Sequence, residues 1–309
     1  MPTATLLLPA AARLIGQGLP ADVAKALGRA DRDRAEAGER AQLRRHFRLV
    51  PDHWPVAALT RGLDAGDAAG ATWLRADPAF IRPDLNGARM LSHGEALELS
   101  GEDAAQLLQA LKPLFGDAGF PIDAPDPSRW YLRLPLDAQL PAFAPPEDAL
   151  GDDLFAHLPQ GDAGRRWRAL LTEAQVILHA HPWNARRLGQ GKAAVNSLWF
   201  WGAGRLPDSV QTPFKQVKSN EPLLRALAKA AGVGVGAAGD DVDALVDLRH
   251  LRSMETLGRD TLRPLFDEVA GGRLDALHLD FEDGARFALN RGQRWRFWRR
   301  PLTGFASKA

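Results

Sequence analysis

Hydrophobic and polar positions recur along this chain with two periods, and those periods place most of its elements. Trp167, Leu170, Leu171, Ala174 and Leu178 fall at i, i+3, i+4, i+7 and i+11. That spacing predicts an amphipathic helix over 162–179, which Pro182 stops. Ser100-Gly-Glu-Asp103 ahead of AAQLLQALKPLF reads as a capping box opening a helix that reaches Phe115. Further helices are predicted over 222–231, with Ser219 and Asn220 as caps, and over 261–270. The run 21–47 mixes Ala, Leu and Arg at helical spacing, with Asp31, Asp33, Glu36 and Glu39 available to neighbouring arginines. It reads as a solvated helical face.

Period two marks the strands. Residues 3–8 form a short apolar strand; 72–74 and 79–81 are brief apolar runs in which Pro78 and Pro83 restrict pairing. In 130–134, Trp130, Leu132 and Leu134 share one face, with Tyr131 and Arg133 on the other. Leu277, Leu279 and Phe281 alternate with His278, Asp280 and Glu282, which reads as the exposed face of a strand. A turn at Asp283-Gly284 follows, then Phe287 and Leu289, then Trp295 and Phe297, as in a meander. The Pro-, Asp- and Ala-rich segment 135–159 reads as a linker or long surface loop. Helices interleaved with short strands predict α/β or α+β architecture, without an internal repeat.

Composition narrows the classes. At 309 residues the chain is long enough for two subdomains. A formal net charge of +1 implies no general attraction to polyanions. Absence of cysteine excludes disulfides, thiolate zinc sites and cysteine nucleophiles. The N-terminal apolar run has no basic leader and is interrupted by Pro9 and Arg13, and no window approaches a membrane span. A cytoplasmic protein with no membrane partner is expected.

Candidate chemistry concentrates in 176–207. A helix-like run ends in His-Pro, and a polar, basic, glycine-rich loop follows. A short strand then carries Trp199 and Trp201 into Gly202-Ala203-Gly204. Asn184, Arg186, Arg187 and Lys192 offer amide and cationic donors, and Trp199 and Trp201, two apart on a strand, share a face. Gly202 and Gly204 let backbone N–H groups approach a ligand. The pattern fits a pocket for a small anion; it fits equally two core indoles followed by a turn. His179-x-His181 holds two metal-ligand types, but a helix-terminal His and a loop His explain it better. Gly234-Val-Gly236-Ala-Ala-Gly239 follows a helix rather than a strand, so a flexible turn is favoured over a dinucleotide site. The stretch 291–300, RGQRWRFWRR, matches either a charged edge strand or a stripe binding nucleic acid, and the balanced net charge disfavours the second.

H-P-W-N-A-R-R, G-K-A-A-V-N and W-G-A-G resemble a block of archaeal-type, cofactor-independent phosphoglycerate mutases, whose core is alkaline-phosphatase-like. WLRADPAFIRPDLNGARML, RWYLRLP, ALGDDLFAHLPQG and the segment through NSLWFWGAG resemble the RpfE-type regulatory proteins, along most of the chain. By the mutase resemblance, His181 and Asn184 shape a loop around a phosphate and Asn196 orients the ligand. The RpfE-type resemblance brings in Arg75, Asp77 and Arg89 as pocket-lining groups, against an internal Arg–Asp pair that orders a loop.

The departures matter. The mutases carry an Asp-Gly metal motif after the first strand, where this chain has Leu8-Pro9-Ala10-Ala11. They also carry a late His…Asp…His-Asp set, and His278-Leu-Asp280-Phe-Glu282-Asp283 lacks its second His. Phosphoryl transfer in that superfamily uses two clustered metals and a Ser or Thr nucleophile. The expectation is therefore a degenerate alkaline-phosphatase-like α/β core (1–70 and 190–309) with an inserted α+β subdomain (71–189). It would bind a small phosphorylated or carboxylated metabolite without catalysis, and without metal or cofactor, in a regulatory role. The alternatives are an active metal-dependent phosphoglycerate mutase or phosphatase, and a nucleic-acid-binding regulator.

Overall fold

A computed structural model describes residues 2–16, 18–84, 87–236, 243–302 and 304–305. The N-terminal apolar run forms strand β1 (Thr3–Leu8), followed by α1 (Ala21–Arg29), β2 (Asp31–Arg34), α2 (Glu39–Arg44) and β3 (Arg48–Val50). Helix α3 (Val56–Asp64) leads to β4 (Thr72–Asp84), β5 (Gly87–His93), α4 (Gly101–Asp117), β6 (Ile122–Asp126) and β7 (Arg129–Leu134). Two short helices, α5 (Pro146–Ala149) and α6 (Leu154–His157), precede α7 (Gly161–His179), α8 (Trp183–Gly189) and β8 (Ser197–Gly204). The remainder holds β9 (Ser209–Gln211), β10 (Gln216–Lys218), α9 (Pro222–Ala230), β11 (Gly234–Val235) and β12 (Ala244–Asp247). It ends with α10 (Arg263–Gly271), β13 (Ala276–Phe281) and β14 (Ala285–Asn290). The architecture is α/β, as expected.

The elements divide into two units, Met1–Asp52 with Asp208–Ala309, and His53–Pro207. The second is inserted into the first in sequence, with limits at 53 and 207 where the sequence suggests 71 and 189. Helix α3 and strand β8 go with the insert because α3 packs on β4 and β8, and β8 pairs with β4 from Trp73 to Ala79. Such long-range pairing leaves no local signal.

In the first unit the described strands form a sheet in the order β11-β10-β12-β1-β13-β14-β2. The first five are parallel, and β14 and β2 run antiparallel. Leu7 pairs with both Asp247 and Asp280, so the carboxyl ends of β12, β1 and β13 lie level. One face of the sheet is the predicted apolar stripe. Leu6, Leu8, Leu277, Leu279, Phe281 and Phe287 pack with Val23, Leu27 and Val269 in a buried core. Each such side chain contributes about 1.5–3 kcal/mol by leaving water.

Two predicted elements differ here. The helical run 21–47 is broken into α1, β2 and α2, because Asp31–Arg34 pairs antiparallel with β14 and satisfies its backbone there. Arg286 reaches Asp33 across that pair at 3.4 Å. The third strand of the meander does not form. Asn290 caps a 3-10 turn over Arg291–Trp295 instead, leaving Trp295 65% and Phe297 77% exposed.

The second unit is built on β4, which pairs with β7 through its first half, β5 through its second, and β8 alongside. Strand β6 extends the sheet beyond β7. The predicted capping box is present: Ser100 Oγ accepts from Asp103 N, and an Asp103 carboxylate oxygen accepts from Ser100 N. α4 and α7 cover the sheet through Leu107, Leu111, Phe115, Trp167 and Leu178, against Leu74, Trp130, Leu132 and Phe200. Residues 135–159 stay inside this unit, with Ala149 and Leu154 packed beside Trp199.

Candidate functional site

The candidate ligand-binding residues between Arg75 and Gly204 lie in the second unit, and the structure gathers only some of them. Arg75 and Asp77 alternate along β4 beside β8 and are buried together. Arg75 Nε and Nη2 donate to the two Asp77 oxygens at 2.8 and 2.9 Å, and Trp201 Nε1 donates to Asp77 Oδ2 at 2.7 Å. The guanidinium sits 5.3 Å from the Trp201 ring centre and 5.2 Å from that of Tyr131. Arg75, Asp77 and Trp201 are thus one cluster.

Asn184 and Arg187 form another, on α8, where the sequence reads as a loop. Arg187 is fully buried: it donates to Asp103 Oδ2 at 2.7 Å, to Leu97 O at 2.6 Å and to Ala193 O at 3.0 Å. Asn184 holds Leu178 O, Val195 O and Val195 N. The rest are dispersed. Asn196 bridges both backbone groups of Ile81, and Trp199 Nε1 donates to Ala144 O. Lys192 reaches Glu98 O, Arg186 stacks on Trp183 and meets Glu102 at 3.4 Å, and His181 Nδ1 accepts from Trp183 N. Arg89 pairs with Asp84, and His179 ends α7.

The glycines have a packing reason. Gly202 (φ +66°) and Gly204 (φ +146°) are left-handed or near it, and a Cβ on them would lie 3.0 Å from Val56 Cβ and 2.7 Å from Pro55 Cβ. The Gly234-Val-Gly236 start of the glycine-rich run forms edge strand β11 and the residue after it, while Gly239 lies outside the described residues.

A different cluster occupies the carboxyl edge of the parallel strands in the first unit. Ligands of open α/β sheets bind there, because loops diverge and helices start at that edge. A cavity of about 670 Å³ is lined by Ser219, Glu221, Asp247, Arg249, His250 and Lys218 among others. Ser219 follows β10 directly, and its Oγ donates to Asp247 Oδ2, at the end of neighbouring β12, at 2.8 Å. Arg249 Nε donates to Asp247 Oδ1 at 2.8 Å and Arg249 Nη1 to Glu39 Oε1 at 2.6 Å. Burial pushes the Asp247 carboxyl up, but Arg249 and Ser219 outweigh it and hold it below the usual carboxylate range. Glu221 caps α9, accepting from Leu223 N and Leu224 N, while burial raises its pKa. Arg13 and Glu282 pair across the opening at 2.9 Å. In the sequence, Ser219 reads only as a helix cap. A serine straight after a strand and before a helix, with Asp-x-Arg ending a second strand, is the signal that such a reading passes over.

A fourth cluster corrects an expectation. The polar face of β13 is not exposed: Asp280 is 2% exposed. His46 Nε2 lies 2.7 Å from Asp280 Oδ2, and Arg45 donates to both oxygens at 2.9 and 2.7 Å. Burial raises the Asp280 pKa, and the two partners bring it below the ordinary value. His278, beside them, is held below 6.5 by burial and by Arg286 and His46. The group faces a cavity of about 400 Å³ that Thr5 and Arg286 also line.

The two clustered divalent ions implied by the resemblance need free carboxylates and imidazoles. At the carboxyl edge Asp247 is bonded to Ser219 and Arg249, Glu282 to Arg13, and Glu221 to the start of α9. Among the described residues no group of three or more His, Asp or Glu is placed to hold a metal ion. The donor set does not fit that centre. Nor is any described helix long and apolar enough to cross a membrane.

Fold and site together describe an α/β protein with a polar cleft at the carboxyl edge of its parallel strands. The chain is similar to cofactor-independent phosphoglycerate mutases. It is 28% identical over 195 residues to a probable 2,3-bisphosphoglycerate-independent phosphoglycerate mutase of Geobacter sulfurreducens, covering 60% of this chain and 48% of that one. It is 28% identical over 211 residues to the 2,3-bisphosphoglycerate-independent phosphoglycerate mutase of Methanosarcina barkeri, covering 59% of this chain and 52% of the relative. The chain thus spans about half the length of the curated relatives it matches. The cofactor-independent phosphoglycerate mutase of Thermoplasma acidophilum superposes with a TM-score of 0.43 at 17% identity, covering 94% of this chain and 90% of the other. No family model matches. These relatives are named as enzymes, and that overturns the expectation of a non-catalytic regulatory binder.

Proposed function

We propose that this chain is a phosphoglycerate-mutase-type enzyme that transfers a phosphoryl group on a small hydroxy acid at the carboxyl-edge cleft of its first unit. The observation that carries the reading is the Ser219–Asp247 pair at the ends of adjacent parallel strands, flanked by Arg249. A hydroxyl bonded to a carboxylate is a phosphoryl acceptor with its base in place. Ser219 Oγ forms the new bond to phosphorus and its proton passes to Asp247. The bond from phosphorus to the substrate oxygen breaks, and that oxygen takes a proton from a water molecule, which recovers one from Asp247. Return of the phosphoryl group to the other hydroxyl completes a mutase cycle; return to water makes a phosphatase. Arg249 and Lys218 supply positive charge for the phosphate and carboxylate. The similarity to mutases supports this substrate class, an alkaline-phosphatase-like ancestry of the core and a cytoplasmic site of action. The RpfE-type resemblance names a lineage compatible with it.

The test is interconversion of 3- and 2-phosphoglycerate, with phosphate release followed in parallel, in added manganese and in chelator. Turnover is expected, cut about 100-fold or more by Ser219→Ala and by Asp247→Asn. No conversion under either condition, or an undiminished rate in Ser219→Ala, refutes the assignment.

A further inference from the structure

Beyond the carboxyl-edge cleft, the first unit holds a further cavity, of about 250 Å³, between α1, α10, β14 and the 3-10 turn Arg291–Trp295. It shares no lining residue with the carboxyl-edge cleft. Its floor is apolar, with Phe266, Val269 and Leu289. Its wall is cationic: Arg29, Arg263, Arg291 and Arg294 face two carboxylates, Asp22 and Asp267. Asp22 is already held by Arg263 through two bonds of 2.6 and 2.9 Å. The guanidinium charge is therefore in excess.

One donor in this wall has no acceptor. Arg29 Nη1 donates to Arg294 O at 2.9 Å, but Arg29 Nε is buried with no hydrogen-bond partner. Arg294, which lines the cavity, lies 4.9 Å over the ring of Trp295, and that ring is 65% exposed.

We propose that this cavity is a ligand site for a small amphiphilic anion, a carboxylate or phosphate head on an apolar body. The head meets the Arg29, Arg291 and Arg294 guanidiniums, and the body lies on Phe266 and Leu289. The cavity falls just below the ~300–1,000 Å³ of drug-sized sites, which selects a short chain or a single ring. A cation of the same shape is rejected by the wall, and a bare inorganic anion leaves the floor uncovered.

The experiment is calorimetric titration of the full chain with hexanoate and with phenyl phosphate. Hexylamine tests the charge requirement and inorganic phosphate tests the apolar one. Saturable binding of at least one of the two amphiphiles is expected, with hexylamine and inorganic phosphate at least tenfold weaker. Whichever amphiphile binds identifies the head group. Arg29→Met, which keeps the stem, and Arg291→Gln are each expected to weaken binding about tenfold while phosphoglycerate turnover stays unchanged. Should Arg29→Met fail to fold, Arg291→Gln carries the same reading. No binding of either amphiphile, equal binding of hexylamine, or undiminished affinity in the folded variants overturns the site. Because binding is measured directly, that result is separable from failure of the catalytic assignment.

Discussion

At the residue scale, much of what sequence marked as chemistry is bonded within the fold. Asp77 accepts from both Arg75 and Trp201 while 1% exposed, so removing it strands a buried guanidinium. Asp77→Ala is expected to cost about 3–5 kcal/mol, read from urea unfolding. A double replacement of Arg75 and Asp77 by apolar residues of similar volume is expected to cost less than either single change, since neither partner is then left uncompensated. A double variant worse than both would remove the argument. An internal Arg–Asp pair was one of the two readings the sequence offered, although the pair lies along β4 rather than in a loop. What was not legible is that Arg187 is enclosed by Asp103 and two carbonyls from distant segments. The histidines add a pH dependence with a definite sign. His93 and His278 are held below 6.5 by burial, so the unfolded chain binds more protons than the folded one as pH drops through that value. Their contribution is intact above 6.5 and lost as pH falls toward the depressed folded values. Asp64, Asp247 and Asp280, held below 3.8 by their Arg, Tyr, Ser and His partners, lose theirs only at still lower pH. The thermal midpoint should therefore drop in two stages on acidification. A His93→Gln, His278→Gln double variant should flatten the upper stage, and an unchanged profile would show the histidines are not its source.

At the scale of elements, long periodic segments were readable and short ones were not. α4 and α7 carry their apolar stripe over several turns, and the β13–β14 hairpin announces itself by alternation plus Asp-Gly. By contrast β2 is four exposed charged residues, and only pairing with β14 makes it a strand. α8 follows Pro182 and is held by the buried side chains of Asn184 and Arg187, a tertiary cause no local window contains. The same logic reverses an ordinary helix rule. Ala in place of Gly within a helix normally stabilises by about 0.5–1 kcal/mol. In α1, a Cβ on Gly28 would lie 2.2 Å from Arg300 O, a backbone atom that cannot swing aside. Gly28→Ala is therefore expected to destabilise, by about 1–3 kcal/mol. Gly116→Ala in α4, with no heavy atom within 4 Å of the added carbon, should be neutral or stabilising. Chemical denaturation of the pair decides it, and equal effects would sink the close-approach argument.

At the scale of the whole molecule, the sequence suggests an insert within an α/β core and sets its candidate chemistry there, whereas the cleft proposed above lies in the first unit. The reason is physical: indoles, arginines and glycines are conspicuous in composition whether they line a pocket or fill one. The Ser219–Asp247–Arg249 cleft is assembled from the ends of separate strands and is invisible until the sheet order is known. His53–Pro207 is one continuous segment with its own sheet and a core closed by α4 and α7. Its buried ion pairs Arg75–Asp77, Arg129–Asp64 and Arg187–Asp103 are all internal to it. A segment with its own apolar core and satisfied buried charges meets the requirements for independent folding. The isolated 53–207 fragment is expected to unfold cooperatively in urea, with fixed aromatic signals from Trp130 and Trp167 in the near-ultraviolet. It should show no phosphoglycerate turnover, because Ser219 and Asp247 lie outside it. A fragment that melts without a transition would mean that its core depends on the remainder of the chain. Turnover by the folded fragment would move the chemistry back to the Arg75, Asp77 and Trp201 cluster.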